Sequence, residues 1–206
     1  ISYEGKGVFK SGDNVVFVNA MFPGDVGDVE VDYRRNGALF GHIKKLATSS
    51  KDRVSPRCPV SYQCGGCDFQ CLSYPAQLLY KQNVVKDQFR KVAHLDVSPL
   101  STLGMDNPFF YRNKVQPLLT ADERGNVYSG FYKEGTHVIV PVPKCYIEDE
   151  RATKILAVVR ELMKSFRLPP YFEDDGYGVM RHILIKTSYY YKQIMVVLVT
   201  AVDSFQ

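Results

Sequence analysis

Four of the five cysteines, Cys58, Cys64, Cys67 and Cys71, fall within fourteen residues of one another, and the fifth, Cys145, stands far off in Pro143-Lys144-Cys145-Tyr146. Thiolate sulfur is a ligand for zinc and for iron–sulfur centres, so a group of this kind can hold a metal. The tightest part is Cys64-Gly65-Gly66-Cys67, where the glycines are expected to let the backbone turn sharply and aim amide donors at sulfur. An odd cysteine count argues against a framework of disulfides. Two ligand sets are open at this point. Cys58, Cys64, Cys67 and Cys71 could surround one zinc, or Cys58, Cys64 and Cys67 could bind three irons of a [4Fe–4S] cluster that Cys145 closes from a distance.

A second kind of chemistry is carried by charge. The chain has net charge +4, but the charge is unevenly placed. Six acids and two lysines lie between Glu4 and Asp32, whereas Arg34, Arg35, Lys44, Lys45, Lys51, Arg53 and Arg57 follow with only Asp52 opposing them. Such a run is either a solvated face or a surface that neutralises phosphates. Arg34, Arg35, Lys44 and Lys45 are the candidates for phosphate contact, with Tyr33 and Phe40 beside them as stacking platforms. Arg112 and Lys114, two apart on an expected strand, would share one face and form a further basic pair. The four histidines form no triad-like pattern with serines or carboxylates.

These residues need elements to position them. Asn14–Val18, Val29–Tyr33 and Ala38–Ile43 read as short strands, and Gly12-Asp13, Pro23-Gly24-Asp25 and Asn36-Gly37 supply turns; Asn-Gly is the strongest hairpin signal of the three. Short strands this dense predict a small antiparallel barrel, because closure removes exposed edges. After a loop from Thr48 to Cys71, Ser73 and Pro75 predict a helix start. That helix is expected to bury Leu78, Val85, Phe89 and Val92 and to expose Lys81, Lys86, Arg90 and Lys91. A second helix is expected from Asp149 to Phe166, with Ile155, Val159, Leu162 and Phe166 inward, ended by Pro169-Pro170. Strands are expected at 111–119, 127–133, 136–140, 182–187 and 193–199. The fold class is therefore α+β.

Composition is that of an ordinary globular chain, with 45% hydrophobic and 23% charged residues. Its longest apolar run, Ile194–Val199, is far shorter than the roughly 20 residues a membrane helix needs. A cytoplasmic monomer without a membrane partner is the expectation.

Several segments resemble the RNA uracil-C5 methyltransferase family. Cys58 with five residues before Cys64-Gly65-Gly66-Cys67, then Phe69-Gln70 and a helix bearing Gln77 and Lys81, is similar to its signature. So are Tyr3-Glu4-Gly5-Lys6-Gly7-Val8, Pro23-Gly24-Asp25 and Ser55-Pro56-Arg57-Cys58, which resemble a TRAM module, an OB-like RNA-binding barrel. Tyr111-Arg112-Asn113-Lys114, Gly130-Phe131-Tyr132 and Lys144-Cys145 match segments of the central domain. The resemblance implies a TRAM-like barrel over 1–54 and a mixed α+β central domain over 55–206. It implies a [4Fe–4S] cluster on Cys58, Cys64, Cys67 and Cys145, with Cys71 a spare thiol where relatives often carry histidine.

It also implies S-adenosylmethionine as methyl donor, bound by a C-terminal Rossmann-like domain. Nothing here matches that domain: no Gly-x-Gly-x-x-Gly follows a strand, and no cysteine follows Cys145. The chain is expected to stop before the catalytic domain and to be inactive alone. In the whole enzyme the implied chemistry is thiolate addition to uracil C6, methylation at C5 and removal of the C5 proton. The implied partner is RNA, ribosomal rather than transfer RNA. The alternative is a stand-alone RNA-binding module with a structural zinc site made of four cysteines. A third class, an iron–sulfur electron carrier, is opposed by the basic run and the lack of repeated compact cysteine motifs.

Overall fold

The computed structural model describes residues 1–204. They form two compact units, Ile1–Arg57 with Cys67–Asp106 and Cys58–Gly66 with the described residues from Asn107 onward. The division is thus not a single cut after residue 54. Residues 67–106 group with the first strands because Cys71 and Leu72 bury themselves with Phe22, with Phe69 and Ala76 packed alongside. Backbone ties add to this: Val54 donates to the Cys71 carbonyl at 2.9 Å and Ser73 to that of Asp52 at 2.8 Å.

The first unit is a four-stranded curled sheet, β1 (Gly7–Ser11), β2 (Asn14–Val18), β3 (Val26–Arg35) and β4 (Ala38–Thr48), in the order β1-β2-β4-β3. Strand β1 was not among the expected strands; Gly12-Asp13 joins it to β2 with Ser11 opposite Asn14. Asn36 and Gly37 take φ of +50° and +80° between Arg35 and Ala38, so both loop residues are left-handed, as the two-residue turn of an Asn-Gly hairpin demands. The expected all-antiparallel barrel needs one correction. Strands β2 and β4 pair in parallel, Phe17 opposite Phe40, because the β3–β4 hairpin folds back with β4 rather than β3 against β2.

Helix α1 (Tyr74–Lys91) follows, with Ser73 as its N-cap residue and proline in its first turn. Its expected buried face is covered only in part. Leu78 is half-buried beside Gly104, with Thr102 donating to the Leu78 carbonyl at 3.0 Å, whereas Val85, Phe89 and the following Val92 are exposed and no residue of the helix is fully buried.

The second unit holds an antiparallel sheet ordered β10-β9-β6-β7-β8, with β5 also on β9. Its strands are β5 (Lys114–Val115), β6 (Leu118–Ala121), β7 (Val127–Tyr132), β8 (Ile139–Pro141), β9 (Met180–Thr187) and β10 (Ile194–Thr200). One strand was expected over 111–119, but Pro117, with no N–H for the ladder, splits it into β5 and β6. Helix α2 (Glu150–Ser165) covers the sheet, and its buried stripe is Ala152, Leu156 and Met163. Ile155 and Val159 flank that stripe as expected, whereas Leu162 and Phe166 stay exposed, so the inward face is rotated from the expected one. The core joins that stripe to Val115, Leu119, Met180, Ile183 and Ile185.

Candidate functional site

Three of the four expected cluster ligands, Cys58, Cys64 and Cys145, belong to the second unit, and local backbone contacts explain where they sit. The turn after Cys58 closes with Ser61 donating to the Cys58 carbonyl at 3.2 Å and Cys64 to that of Val60 at 2.9 Å. Cys64 then bridges to Lys133, and Gly65 donates to the Tyr132 carbonyl at 3.1 Å, which pins the segment to the end of β7. The chain turns at Gly65-Gly66 and the Gly66 amide reaches the Cys64 sulfur, as expected, although neither glycine takes a left-handed φ. A Cβ on Gly65 would press on the Glu134 backbone nitrogen at 3.0 Å, so Gly65 also serves close approach.

Cys145 is placed by a second contact. Residues 110–112 run beside 146–149, with Phe110 donating to Tyr146, Arg112 to Ile147, and Asp149 to Arg112 at 3.0, 2.7 and 3.2 Å. The Lys144 ammonium lies 5.6 Å from the Phe110 ring centre and 5.4 Å from that of Tyr146. The same pairing sets Arg112 opposite Glu148. Glu148 is 1% exposed, and its Oε1 has no hydrogen-bond partner among the described residues. Burial pushes its carboxyl up to about 7, against the pull of Arg112. Burial also raises the Cys64 thiol; the Gly66 amide and Arg112 oppose this, while charge on Cys58 and Glu148 adds to it. Burial thus favours the neutral forms of the Cys64 thiol and the Glu148 carboxyl, and Arg112 is the cation that opposes it at both.

Cys67 and Cys71 belong to the first unit. The Cys67 sulfur accepts from Gln70 Nε2 at 3.5 Å. Cys71 is 4% exposed within the Phe22–Leu72 cluster, where it packs as a small apolar side chain. None of the five cysteines is in a disulfide. Among the described residues, no three His, Cys, Asp or Glu side chains are gathered to hold a metal. By side-chain type Cys58, Cys64, Cys67 and Cys145 are all thiols, the ligand that iron–sulfur clusters take.

The basic run looks different in space from its look in sequence. Antiparallel pairing sets Asp28 opposite Lys45 and Glu30 opposite His42. Lys44 forms an ion pair with Glu30 at 3.0 Å, and His42 contacts Asp32 at 2.9 Å. The acids of β3 are thus interleaved with the bases of β4. Neighbours in a regular strand point to opposite sides, so Arg34 and Arg35 do not share a face, whereas the register shift opposite Asp28 and Val29 leaves Lys44 and Lys45 on the same exposed side. All four are exposed, and Arg34 donates to Asn14 at 2.9 Å. The aromatic candidates do come together. Phe17, Phe40 and Tyr33, partners across β2, β4 and β3, stack with ring centres 5.1 and 4.9 Å apart, and the outermost, Tyr33, is exposed.

Arg112 and Lys114 are exposed but serve different neighbours: Arg112 faces Glu148, and Lys114 sits opposite Lys186. Neither Glu148 nor Lys186 was singled out from sequence. Glu148 carries no local signal, since an acid before a helix reads as capping, and Lys186 is joined to Lys114 only by strand register.

No family model matches the chain. Curated relatives do. A protein of Clostridium tetani named an uncharacterized RNA methyltransferase is 36% identical over 96% of this chain and 43% of its own length. One of Oceanobacillus iheyensis with the same kind of name is 37% identical over the full chain and 44% of its own length. The chain is homologous to RNA methyltransferases. It spans less than half the length of these homologues. Among solved structures, the Pyrococcus abyssi tRNA (uracil-54, C5)-methyltransferase, crystallised with S-adenosyl-L-homocysteine, superposes with a TM-score of 0.66 over 98% of this chain and 48% of that one. At 21% identity that likeness concerns the fold. It agrees with an α+β architecture. No described helix is long and apolar enough to cross a membrane.

Proposed function

We propose that this chain is the RNA-gripping, iron–sulfur-bearing portion of an S-adenosylmethionine-dependent RNA uracil-C5 methyltransferase, cytoplasmic and monomeric, that acts on ribosomal rather than transfer RNA. The carrying observation is 36–37% identity, kept over nearly the whole chain, to proteins named RNA methyltransferases. The uracil-C5 assignment draws on the Cys64-Gly65-Gly66-Cys67 signature and on the fold shared with the archaeal enzyme. In this reading a TRAM-like first unit offers the Phe17–Phe40–Tyr33 stack to an unpaired base, with Arg34 and Arg35 near phosphates. Cys58, Cys64, Cys67 and Cys145 hold the [4Fe–4S] cluster, which when bound supplies a compact covalent tie with redox capacity. Arg112 offsets the charge of Glu148 beside those thiols. The methyl donor is bound outside these residues.

Two measurements test the proposal. The full-length protein, purified without oxygen, should be brown and contain about four iron and four sulfide per chain. Cys145→Ser should abolish that content and Cys71→Ser should keep it. One zinc that depends on Cys71 and ignores Cys145 overturns the assignment in favour of a stand-alone zinc module. Methyl transfer to ribosomal and transfer RNA, read as 5-methyluridine, then separates the two substrates.

A further inference from the structure

The β9–β10 hairpin ends in Ser188-Tyr189-Tyr190-Tyr191-Lys192-Gln193, and its three tyrosines are 86, 84 and 72% exposed. Turns ordinarily use small or polar residues, so three consecutive aromatic rings held in water need a reason. The loop is not slack. Ser188 donates its N–H to the Gln193 carbonyl at 2.8 Å, and Tyr191 donates its N–H to the Ser188 hydroxyl oxygen at 3.0 Å. Arg151, itself fixed by Asp149, donates to the Ser188 carbonyl at 3.4 Å. The Lys192 ammonium lies 4.1 Å from the Tyr189 ring centre, and Tyr190 and Tyr191 meet edge to face at 5.0 Å.

Beyond the Asp149–Arg151 pair at its base, the hairpin carries cations. Lys186, at the end of β9, lies directly opposite Lys114 of β5, both exposed, and the described residues offer neither an ion-pair partner. Like charges facing each other across two strands are destabilising, and an anion between them relieves the cost. Lys192 adds a third cation at the tip.

We infer that this hairpin is a single-stranded RNA site: Tyr190 and Tyr191 stack on unpaired bases while Lys114, Lys186 and Lys192 meet the phosphates. The combination of exposed rings with a cationic strip matches how proteins hold unpaired nucleic acid. A protein partner would be served by any apolar side chain there and would give no use to the Lys114–Lys186 pair. The choice of RNA over other polyanions rests on the methyltransferase reading.

The test is binding of the full-length protein to an unstructured RNA dodecamer and to an RNA duplex across a salt series. Tyr190→Ala with Tyr191→Ala should weaken dodecamer binding about tenfold or more and leave the salt slope and duplex binding unchanged. Tyr190→Phe with Tyr191→Phe should bind as wild type, and the corresponding pair of leucine substitutions should not. Lys114→Ala with Lys186→Ala should make the slope shallower by roughly 1.4, about 0.7 for each lost contact. The rings lie in water, so unchanged thermal melts are expected and confirm folding. If the alanine pair binds the dodecamer as wild type does, or leucine restores binding, the hairpin site is wrong while RNA binding stands. If the wild type binds no RNA at all, the methyltransferase reading falls with it.

Discussion

Asp25 shows how one residue of the Pro23-Gly24-Asp25 segment acts. Its carboxylate has no exposure and accepts from the backbone amides of Phe22 and Ser50 at 2.7 and 2.8 Å. Arg53 binds it through Nε and Nη2 at 3.0 and 2.6 Å and also lies 4.9 Å from the Phe22 ring centre. Burial alone would raise the Asp25 carboxyl, but Arg53 and the two amides outweigh it and hold the group below the ordinary carboxylate range. The folded form is therefore favoured by ionised Asp25. That stability is complete above the usual aspartate range and is lost as pH falls through the lowered value. Asp25→Ala leaves Arg53 and two amides without their acceptor, and should cost about 3–5 kcal/mol in a urea titration followed by tyrosine fluorescence. Asp25→Asn should flatten the acid limb of the stability profile. Asp149 is a smaller case: held down to about 2 first by Arg151, it caps α2 by accepting from the Arg151 amide at 2.9 Å. Asp149→Ala should cost about 1 kcal/mol in the same titration.

At the scale of elements, glycines separate two kinds of constraint. Gly130 lies in β7 between Leu118 of β6 and Pro141 of β8, and a Cβ there would overlap the Val140 carbonyl oxygen. Gly130→Ala must push β8 away, and a loss of about 1–3 kcal/mol is expected in thermal melts. Gly37 has open space around it, and its φ of +80° is its only constraint. Gly37→Ala should cost about 1–2 kcal/mol through backbone strain alone. The start and length of α2 were legible because caps and prolines act over a few residues. Its buried face was not, since Leu162 and Met163 are both apolar and only the sheet beneath decides which is covered. Helix α1 makes the point more strongly: its apolar spacing is real, yet Leu78 is half-buried beside Gly104 while Val85 and Phe89 stay exposed.

For the whole molecule, the interleaving of β3 acids with β4 bases changes what the basic run should do. Lys44 is already paired with Glu30, so it has less charge to offer phosphate than the sequence suggests. Binding of a stem-loop RNA across a salt series checks this. Arg34→Ala with Arg35→Ala should make the salt slope shallower by more than Lys44→Ala with Lys45→Ala does. Equal curves for both pairs and the wild type would place the whole run on a solvated face. Residues 1–206 alone, given S-adenosylmethionine and substrate RNA, should form no 5-methyluridine above background, and product from them would contradict the proposal that the donor binds elsewhere.

What the residues determined by themselves was local. The Asn36-Gly37 hairpin, the cap-to-proline limits of α2, the α+β class and the cysteine motif all depend on neighbours within a few positions, where backbone sterics and hydrogen bonding act directly. What the tertiary structure decided was register. The parallel pairing of β2 with β4, the Lys114–Lys186 pair, the stacking of Phe17, Phe40 and Tyr33, and the burial of Glu148 beside Arg112 each join residues distant in sequence. No local preference selects which strand lies beside which. That choice belongs to the packing of apolar faces over the whole unit, and it determines which charges meet.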